Sequence, residues 1–502
     1  MTSEMHFQFV VIGGGIAGVT CAETLSHLNP DEKILLLTAS PLIKAVTNFR
    51  KVTKTLEEFD VEERSMFDLH AQCPNVIVAH DRVMKLDSAE RILHTSTQKQ
   101  YSYEKLCICA GGSPKIIAEG HPHVIGIRDT ETVKVFQEKL SNASRIVLVG
   151  NGGIATELAY EINGCEVIWA IKDDAITHTF IDKGASQFFA PIMSKEKHGE
   201  RKGLVKRVKY RLDDDVKTET AVKATKGRKG GSVTGSALGP DWAEGIPMHG
   251  VIEESHRVHV EKCVEVKRVL SLNEIESNSL STCCPPLWDD SNRDWPVYIE
   301  LTNGHIYGCD FVVSATGVNP NVDIFTSGNK FDVDAADGGI IVNEHMQTSV
   351  SHVYAAGDVC HAGWQTSPYW LQMRLWCQAR QMGAFASHCM TADVHGHLEE
   401  ISQDFCFEMF AHVTRFFDFK VVLLGKFNAQ GMEKDHELLV RVTEGQEYVK
   451  VVLQDGRMHG ALLIGETDLE ETFENLILNQ MDLTPFKDNL LDPNIDIEDY
   501  FD

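Results

Sequence analysis

Short, uniformly apolar runs alternate along this chain with stretches whose apolar residues recur at helical spacing, a pattern that predicts buried parallel strands joined by crossover helices. Phe9-Val10-Val11-Ile12 is the first such run, and it keeps no polar face, as expected of a strand covered on both sides. It ends in Gly13-Gly14-Gly15, and Val19 to Leu28 continues as an apolar, helix-compatible stretch. Lys33 to Thr38 predicts a second buried strand, and Tyr103 to Cys109 a third that leaves through Ala110-Gly111-Gly112-Ser113-Pro114. Between them, Ser40 to Asn48 reads as a loop running back across the strand ends.

The theme then repeats. Arg145 to Val149, Gly150-Asn151-Gly152 and the run to Ala159 predict a second strand, turn and helix, followed by a strand over Cys165 to Ile171. Alternation at Val258-His259-Val260 and Val264-Glu265-Val266, the Asn303-Gly304 turn after Tyr298 to Leu301, and the run Phe311 to Ser314 predict further strands. A second exit turn, Ala315 to Asn321, mirrors the one at Ala110 to Pro114 and implies that one unit is inserted into the other. Val353 to Ala355 predicts one more strand, ending in Gly357-Asp358. Val421 to Lys426, Tyr448 to Leu453, the Asp455-Gly456 turn and Gly460 to Gly465 predict an antiparallel sheet, and Asp468 to Met481 a capped amphipathic helix. The fold class is α/β, with two Rossmann-like dinucleotide-binding domains, the second inserted in the first, plus a C-terminal α+β domain. The boundaries fall at 1–135 and 310–395 for the first unit, 136–309 for the second, 400–485 for the C-terminal domain and 486–502 for an acidic tail.

The turns carry the chemistry. Gly13-x-Gly15-x-x-Gly18 between strand and helix is a dinucleotide fingerprint, with room for a tight turn, close approach of backbone to a pyrophosphate, and helix packed on strand around Ala17. Gly150-x-Gly152-x-x-Ala155, with Ile154 and Glu157 in the following helix, is a second. Two fingerprints in one chain point to two dinucleotides, FAD in the first unit and NAD(P)H in the second. The first unit's second strand ends on Thr38 and Ser40, hydroxyls where an acid usually holds the ribose, and Lys44 in the segment beyond is the candidate beside the flavin ring. The second unit's corresponding strand ends on Ile171 and Lys172, which leaves NADH and NADPH both open. Ala110, Gly111, Thr316 and Gly317 line the exit turns, and Asp358 stands where the ribityl chain of a flavin would pass. The aromatic stretch Trp364 to Trp376 reads mainly as core.

Composition narrows the field. A net charge of −26 over 502 residues argues against general nucleic-acid binding, and no apolar run approaches the roughly 18 residues of a membrane span. Only Met1 to His6 precede the first strand, too few for a leader, so a cytoplasmic protein is expected, with the nucleus as a further compartment. The 13 cysteines include no Cys-x-x-Cys, and the 22 histidines show no metal-ligand spacing, so no metal is expected. Residues 195–235 are rich in Lys, Arg and Gly, a solvated linker or a docking surface for an acidic partner or RNA. The tail from Leu490 to Asp502 is acidic with spaced Ile495, Ile497, Tyr500 and Phe501, a solvated end or a docking peptide.

In combination, Gly13–Gly18, Ala110–Pro114, Gly150–Glu157, Ala315–Pro320 and Ala355–Asp358 resemble the FAD/NAD(P)-dependent pyridine nucleotide-disulphide oxidoreductase superfamily. Ala45 to Phe49, Gly235 to Trp242, Met373 to Trp376 and Asp492 to Asp502 resemble one branch of it, which implies association with the tRNA ligase complex and its protection from oxidative inactivation. The chain departs from the superfamily's disulphide reductases: Ser40 to Val52 holds no cysteine, none lies between Glu166 and Lys262, and His412 precedes Val413 where they have proline. Disulphide reduction through an enzyme dithiol is therefore disfavoured. Two functions of different class stay open, a turnover enzyme that reduces oxygen, a quinone or a small acceptor, and a slow flavoprotein whose reduced, nucleotide-bound form protects a partner.

Overall fold

The computed structural model describes residues 5–493 except 129, 194–245, 254–255, 287, 289–292 and 434, so the basic insertion and the last residues of the acidic tail lie outside the described residues. The first apolar runs form one sheet in the order Val76–His80, Ile34–Thr38, Met5–Ile12, Gln100–Ile108, Ile92–Thr95, Val83–Asp87, with Val353–Ala355 added against Gln100–Ile108. Its centre is parallel, Phe9 beside Ile34 and Val10 beside Leu106. All five residues of Ile34–Thr38 are buried, which explains why that run carries no alternation.

The helix Ile16–Leu28 leaves the first strand and packs on the long helix Trp376–His395. The crossing is close because a side chain at Gly383 would collide with the Ala17 carbonyl. Gly383→Val would force the two helices apart, at a cost of about 1–3 kcal/mol.

The second sheet is parallel throughout, in the order Val124–Gly126, Phe311–Ser314, Arg145–Val149, Glu166–Ala170, Arg257–Glu261. An antiparallel layer of Val266–Leu270, Val297–Leu301 and Ile306–Cys309 covers one of its faces. The two exit turns pair with each other, Gly112–Pro114 against Val318–Pro320, so the chain passes between the sheets through one short ribbon. The C-terminal sheet is antiparallel in the order Ala411–Phe416, Phe419–Gly425, Arg457–Ile464, Glu447–Gln454, Glu437–Thr443. No helix among the described residues is long and apolar enough to cross a membrane.

Two sequence expectations need correction. The segment from Ser40 to Asn48 is mostly strand: Leu42–Lys51 pairs antiparallel with Glu57–Ser65 as a two-stranded ribbon. Ile43 and Ala45 alternate inward there, a period of two that the flanking polar residues obscured. The last helix, Glu470–Asn479, begins after Leu469, and no side chain caps it. Its first turn is stabilised by Glu470 and Glu471, which favour the positive helix end.

Candidate functional site

Each fingerprint contains at least one glycine that the fold needs and one that it does not. Gly13 has φ of 118°, and a side chain there would strike the Cys109 carbonyl; one at Gly18 would strike the Gly13 carbonyl. Those two are required by the backbone itself. Gly15 is different: it caps the helix at an ordinary φ of −78°, and, its chain neighbours aside, a Cβ would have no heavy atom of the described residues within 4 Å. That helix end has no side-chain cap and no acid in its first turn, so its free N–H groups face open space fit for a phosphate. The second fingerprint has the same division of labour. Gly150 has φ of 130° and abuts the Ala315 carbonyl, while Gly152 caps the helix Gly153–Glu161 at φ of −94° with, its chain neighbours aside, none of the described residues within 4 Å of a Cβ. The residues present therefore fit a dinucleotide pyrophosphate at both turns.

Asp358 is 5% exposed in the turn between Val353–Ala355 and Cys360–Ala362, and Gly357 before it packs against Ala17. A buried carboxylate needs a counter-charge, and Arg128 supplies it through an ion pair. Arg374 also donates to the Asp358 carbonyl at 3.0 Å. A Cβ at Gly111, which has φ of 63°, would meet the Arg128 guanidinium at 3.9 Å, so one cation lies between the first exit turn and Asp358. Arg128 was not among the residues read from sequence. Its only signal there is a charge placed directly after the apolar Val124 to Ile127.

On the other side of this turn, the Thr38 hydroxyl faces inward, donating to the Ser40 carbonyl at 3.0 Å and accepting from the Ser40 amide at 3.2 Å. Ser40 is half-buried, and its own hydroxyl accepts from the Leu42 amide. Lys44 lies on the ribbon strand, its amide donating to the Gly14 carbonyl at 2.8 Å and its ammonium paired with Glu63. The lysine thus stands beside the first cradle as half of a neutral pair.

At the second turn Ala155 is fully buried, Ile154 and Glu157 are half-buried on the helix, and Lys172 is exposed beyond Ala170. Asn151, between the two glycines, donates to Asp173 and to the Ala175 carbonyl, both at 2.8 Å, and accepts from the Thr177 amide at 2.6 Å. The acid absent from the strand's last position thus stands at Asp173, held to the fingerprint by a side chain that sequence reading passed over. Thr316 donates to the Lys115 carbonyl at 3.2 Å, and Gly317 beside it faces open space. Ala110 and Gly111 use their carbonyls to hold Asn321.

All 13 cysteines are free thiols. Cys107 and Cys109 lie 3.5 Å apart beneath the first fingerprint; the hydrogen bond shared with Cys107, which holds the Cys109 proton in place, and burial push Cys109 well above the ordinary thiol range. Burial likewise raises Cys360. Cys377 lies 3.3 Å from His412 Nδ1, but burial holds the thiol up at about 12 and the imidazole down at about 3. Both partners are neutral, unlike an activated thiolate–imidazolium pair. Asp334, Asp337 and His361 also converge, but Asp337 is paired with Arg374 at 2.8 Å and His361 at 2.9 Å, an ion-pair network closed by its own cation.

The pyridine nucleotide-disulphide oxidoreductase family model matches residues 7–229 and 288–383, and the rubredoxin NAD+ reductase C-terminal domain model matches residues 412–481. The chain is 55% identical over 499 residues to pyridine nucleotide-disulfide oxidoreductase domain-containing protein 1 of Homo sapiens, covering 99% of this chain and 98% of that one. It is 43% identical over 499 residues to the protein of the same name in Drosophila melanogaster, covering 99% of each. Among solved structures, a ferredoxin reductase from Rhodopseudomonas palustris superposes with a TM-score of 0.65 at 16% identity, covering 98% of this chain and 99% of that one. An NADH:rubredoxin oxidoreductase from Clostridium acetobutylicum superposes at 0.57 and 14%, covering 95% and 97%. These two likenesses bear on fold alone.

Proposed function

The chain belongs to the pyridine nucleotide-disulphide oxidoreductase family and is an FAD-dependent NAD(P)H oxidoreductase, and from that premise we propose that it works without an enzyme dithiol and shields a tRNA ligase complex from oxidation. The observation that carries the two-cofactor reading is the pair Gly15 and Gly152, helix caps whose lack of a side chain no packing among the described residues explains. When bound, FAD and NAD(P)H supply the hydride transfer, which needs orientation more than a protein acid or base.

The chain's residues then divide as follows. Gly13, Gly15, Ala17 and Gly18 would hold the FAD pyrophosphate at the first helix end, with Thr38 and Ser40 bordering the ribose. Gly357, Asp358 and Arg128 would fix the ribityl side, and Ala110 and Gly111 the exit turn beneath it. Lys44, its charge balanced by Glu63, would border the flavin ring. Gly150, Gly152, Ile154, Ala155 and Glu157 would hold NAD(P)H, with Lys172 or Asp173 near the ribose and Thr316 and Gly317 at the far turn. The units 1–135 with 310–395, and 136–309, are the proposed carriers of these two sites.

The absence of a working dithiol is supported by the cysteine-free stretch from Ser40 to Val52 and by the burial of Cys109, Cys360 and Cys377. The tRNA ligase reading rests on the likeness of Ala45–Phe49, Met373–Trp376 and the tail to one branch of the family. The basic insertion or the acidic tail is the proposed docking element, in the cytoplasm with access to the nucleus. Stopped-flow spectroscopy separates this reading from a turnover enzyme. Fast bleaching by NADH or NADPH followed by slow recovery in air is expected; recovery as fast as reduction, with air or a quinone as acceptor, would favour a turnover reductase.

A further inference from the structure

The C-terminal sheet ends on Glu437–Thr443, which among the described residues pairs on one side only, with Glu447–Gln454. The ladder runs without a bulge from Glu437 beside Leu453 to Thr443 beside Glu447. Exposed edges are normally blunted by lysine, proline or a bulge, because their unpaired N–H and C=O groups template another strand. None of these devices is present in Glu-Leu-Leu-Val-Arg-Val-Thr, and its single cation, Arg441, is turned to the inner face, bonded to the Leu491 carbonyl and paired with Glu447.

Leu438, Val440 and Val442 are exposed by 50%, 48% and 53%, at a period of two along one face. Single exposed apolar residues are ordinary; three in register on an open edge are not. Their cross-strand neighbours Val452, Lys450 and Tyr448 are buried, so the stripe continues outward a face that is covered one strand further in. Exposed acids flank the strand: Glu433 and Asp435 at one end, beyond Glu437 with its ion-pair partner Lys487, and Glu444 at the other.

That charge decides among occupants. A second copy paired antiparallel about Val440 would bring the acids at one end of each strand against Glu444 of the other, and like charges across a ladder are unfavourable. The chain's own tail, with Asp496, Glu498, Asp499 and Asp502, carries the same sign. A cationic strand fits both the apolar stripe and its rim. We propose that Glu437–Thr443 is a docking edge that takes an extended segment of a partner protein as a sixth strand, with apolar residues at alternate positions and lysine or arginine between them. This surface lies outside the redox site and does not depend on how that site works.

The test uses the full-length, flavin-loaded protein and a short synthetic peptide alternating valine with lysine, beside its counterpart alternating valine with glutamate. The lysine peptide should bind and slow amide exchange across residues 437–443, and the glutamate peptide should do neither. Val440→Lys should weaken the lysine peptide by roughly tenfold or more while flavin absorbance and thermal midpoint stay unchanged. Failure of the lysine peptide to bind, equal binding of both peptides, or full binding by Val440→Lys would each overturn the proposal. So would slow exchange at 437–443 in the free protein, or a dimer that Val440→Lys dissociates, because the edge would then already be occupied.

Discussion

Asp358 and Arg128 neutralise each other at the rim of the first cradle, so removing either leaves a partly buried charge beside the proposed flavin. Asp358→Ala should weaken FAD binding by about 1.5–3 kcal/mol, the worth of a hydrogen bond to a charged group, and Arg128→Ala should act in the same direction. Flavin absorbance per protein after desalting checks both; wild-type flavin content in either variant contradicts the assignment. His412 gives a pH signature instead. Burial lowers its folded-state value to about 3 from an ordinary 6.5, so between those values the unfolded chain binds the extra proton. Its contribution to stability is fully present above 6.5 and is lost as pH falls towards 3, by up to about 1.4 kcal/mol per pH unit. His412→Gln should flatten the denaturation midpoint against pH over that window, whatever it does to the midpoint itself; an unchanged slope would show that the imidazole titrates normally. A thiol at about 12 beside a neutral imidazole is a poor nucleophile, so Cys377 should resist alkylation in the native protein at neutral pH, and labelling there by mass spectrometry would contradict that.

The strand–turn–helix unit is the element that sequence reading handles best. Its glycine spacing reports both the backbone conformation at Gly13 and Gly150 and the free space at Gly15 and Gly152. Because a Cβ at Gly152 meets no neighbour within 4 Å among the described residues, Gly152→Val should fold and retain flavin, yet bleach far more slowly with NAD(P)H; bleaching at the wild-type rate would place the nicotinamide elsewhere. Uniform apolar runs such as Ile34–Thr38 were equally legible, since full burial removes the need for alternation. Leu42–Lys51 was not, because that strand buries only Ile43 and Ala45 and leaves its polar residues to dominate the pattern. Partners were also hidden. Arg128 reaches Asp358 across 230 positions, Lys44 meets Glu63 only through the ribbon, and Asn151 finds Asp173 only once two strands lie side by side. Motif spacing reports local backbone, whereas such pairs are made by topology.

For the molecule as a whole, the exit ribbon of Gly112–Pro114 and Val318–Pro320 places the two open cradles in one framework, with the C-terminal sheet packed against the second. Residues of all three parts surround Cys377 and His412, since Phe180, Trp376 and Phe410 ring the imidazole at 6.3, 4.8 and 6.4 Å. The central claim is that this framework transfers hydride between two bound nucleotides with no thiol in the path. Anaerobic titration of the flavin-loaded protein with NADPH, before and after thiol blocking, tests it most directly. Full reduction should consume about two electrons per FAD, and thiol blocking should leave both the stoichiometry and the bleaching rate unchanged. Uptake of four electrons per FAD, or loss of flavin reduction on thiol blocking, would mean that a redox-active thiol pair reaches the ring and that the protein is a disulphide reductase after all.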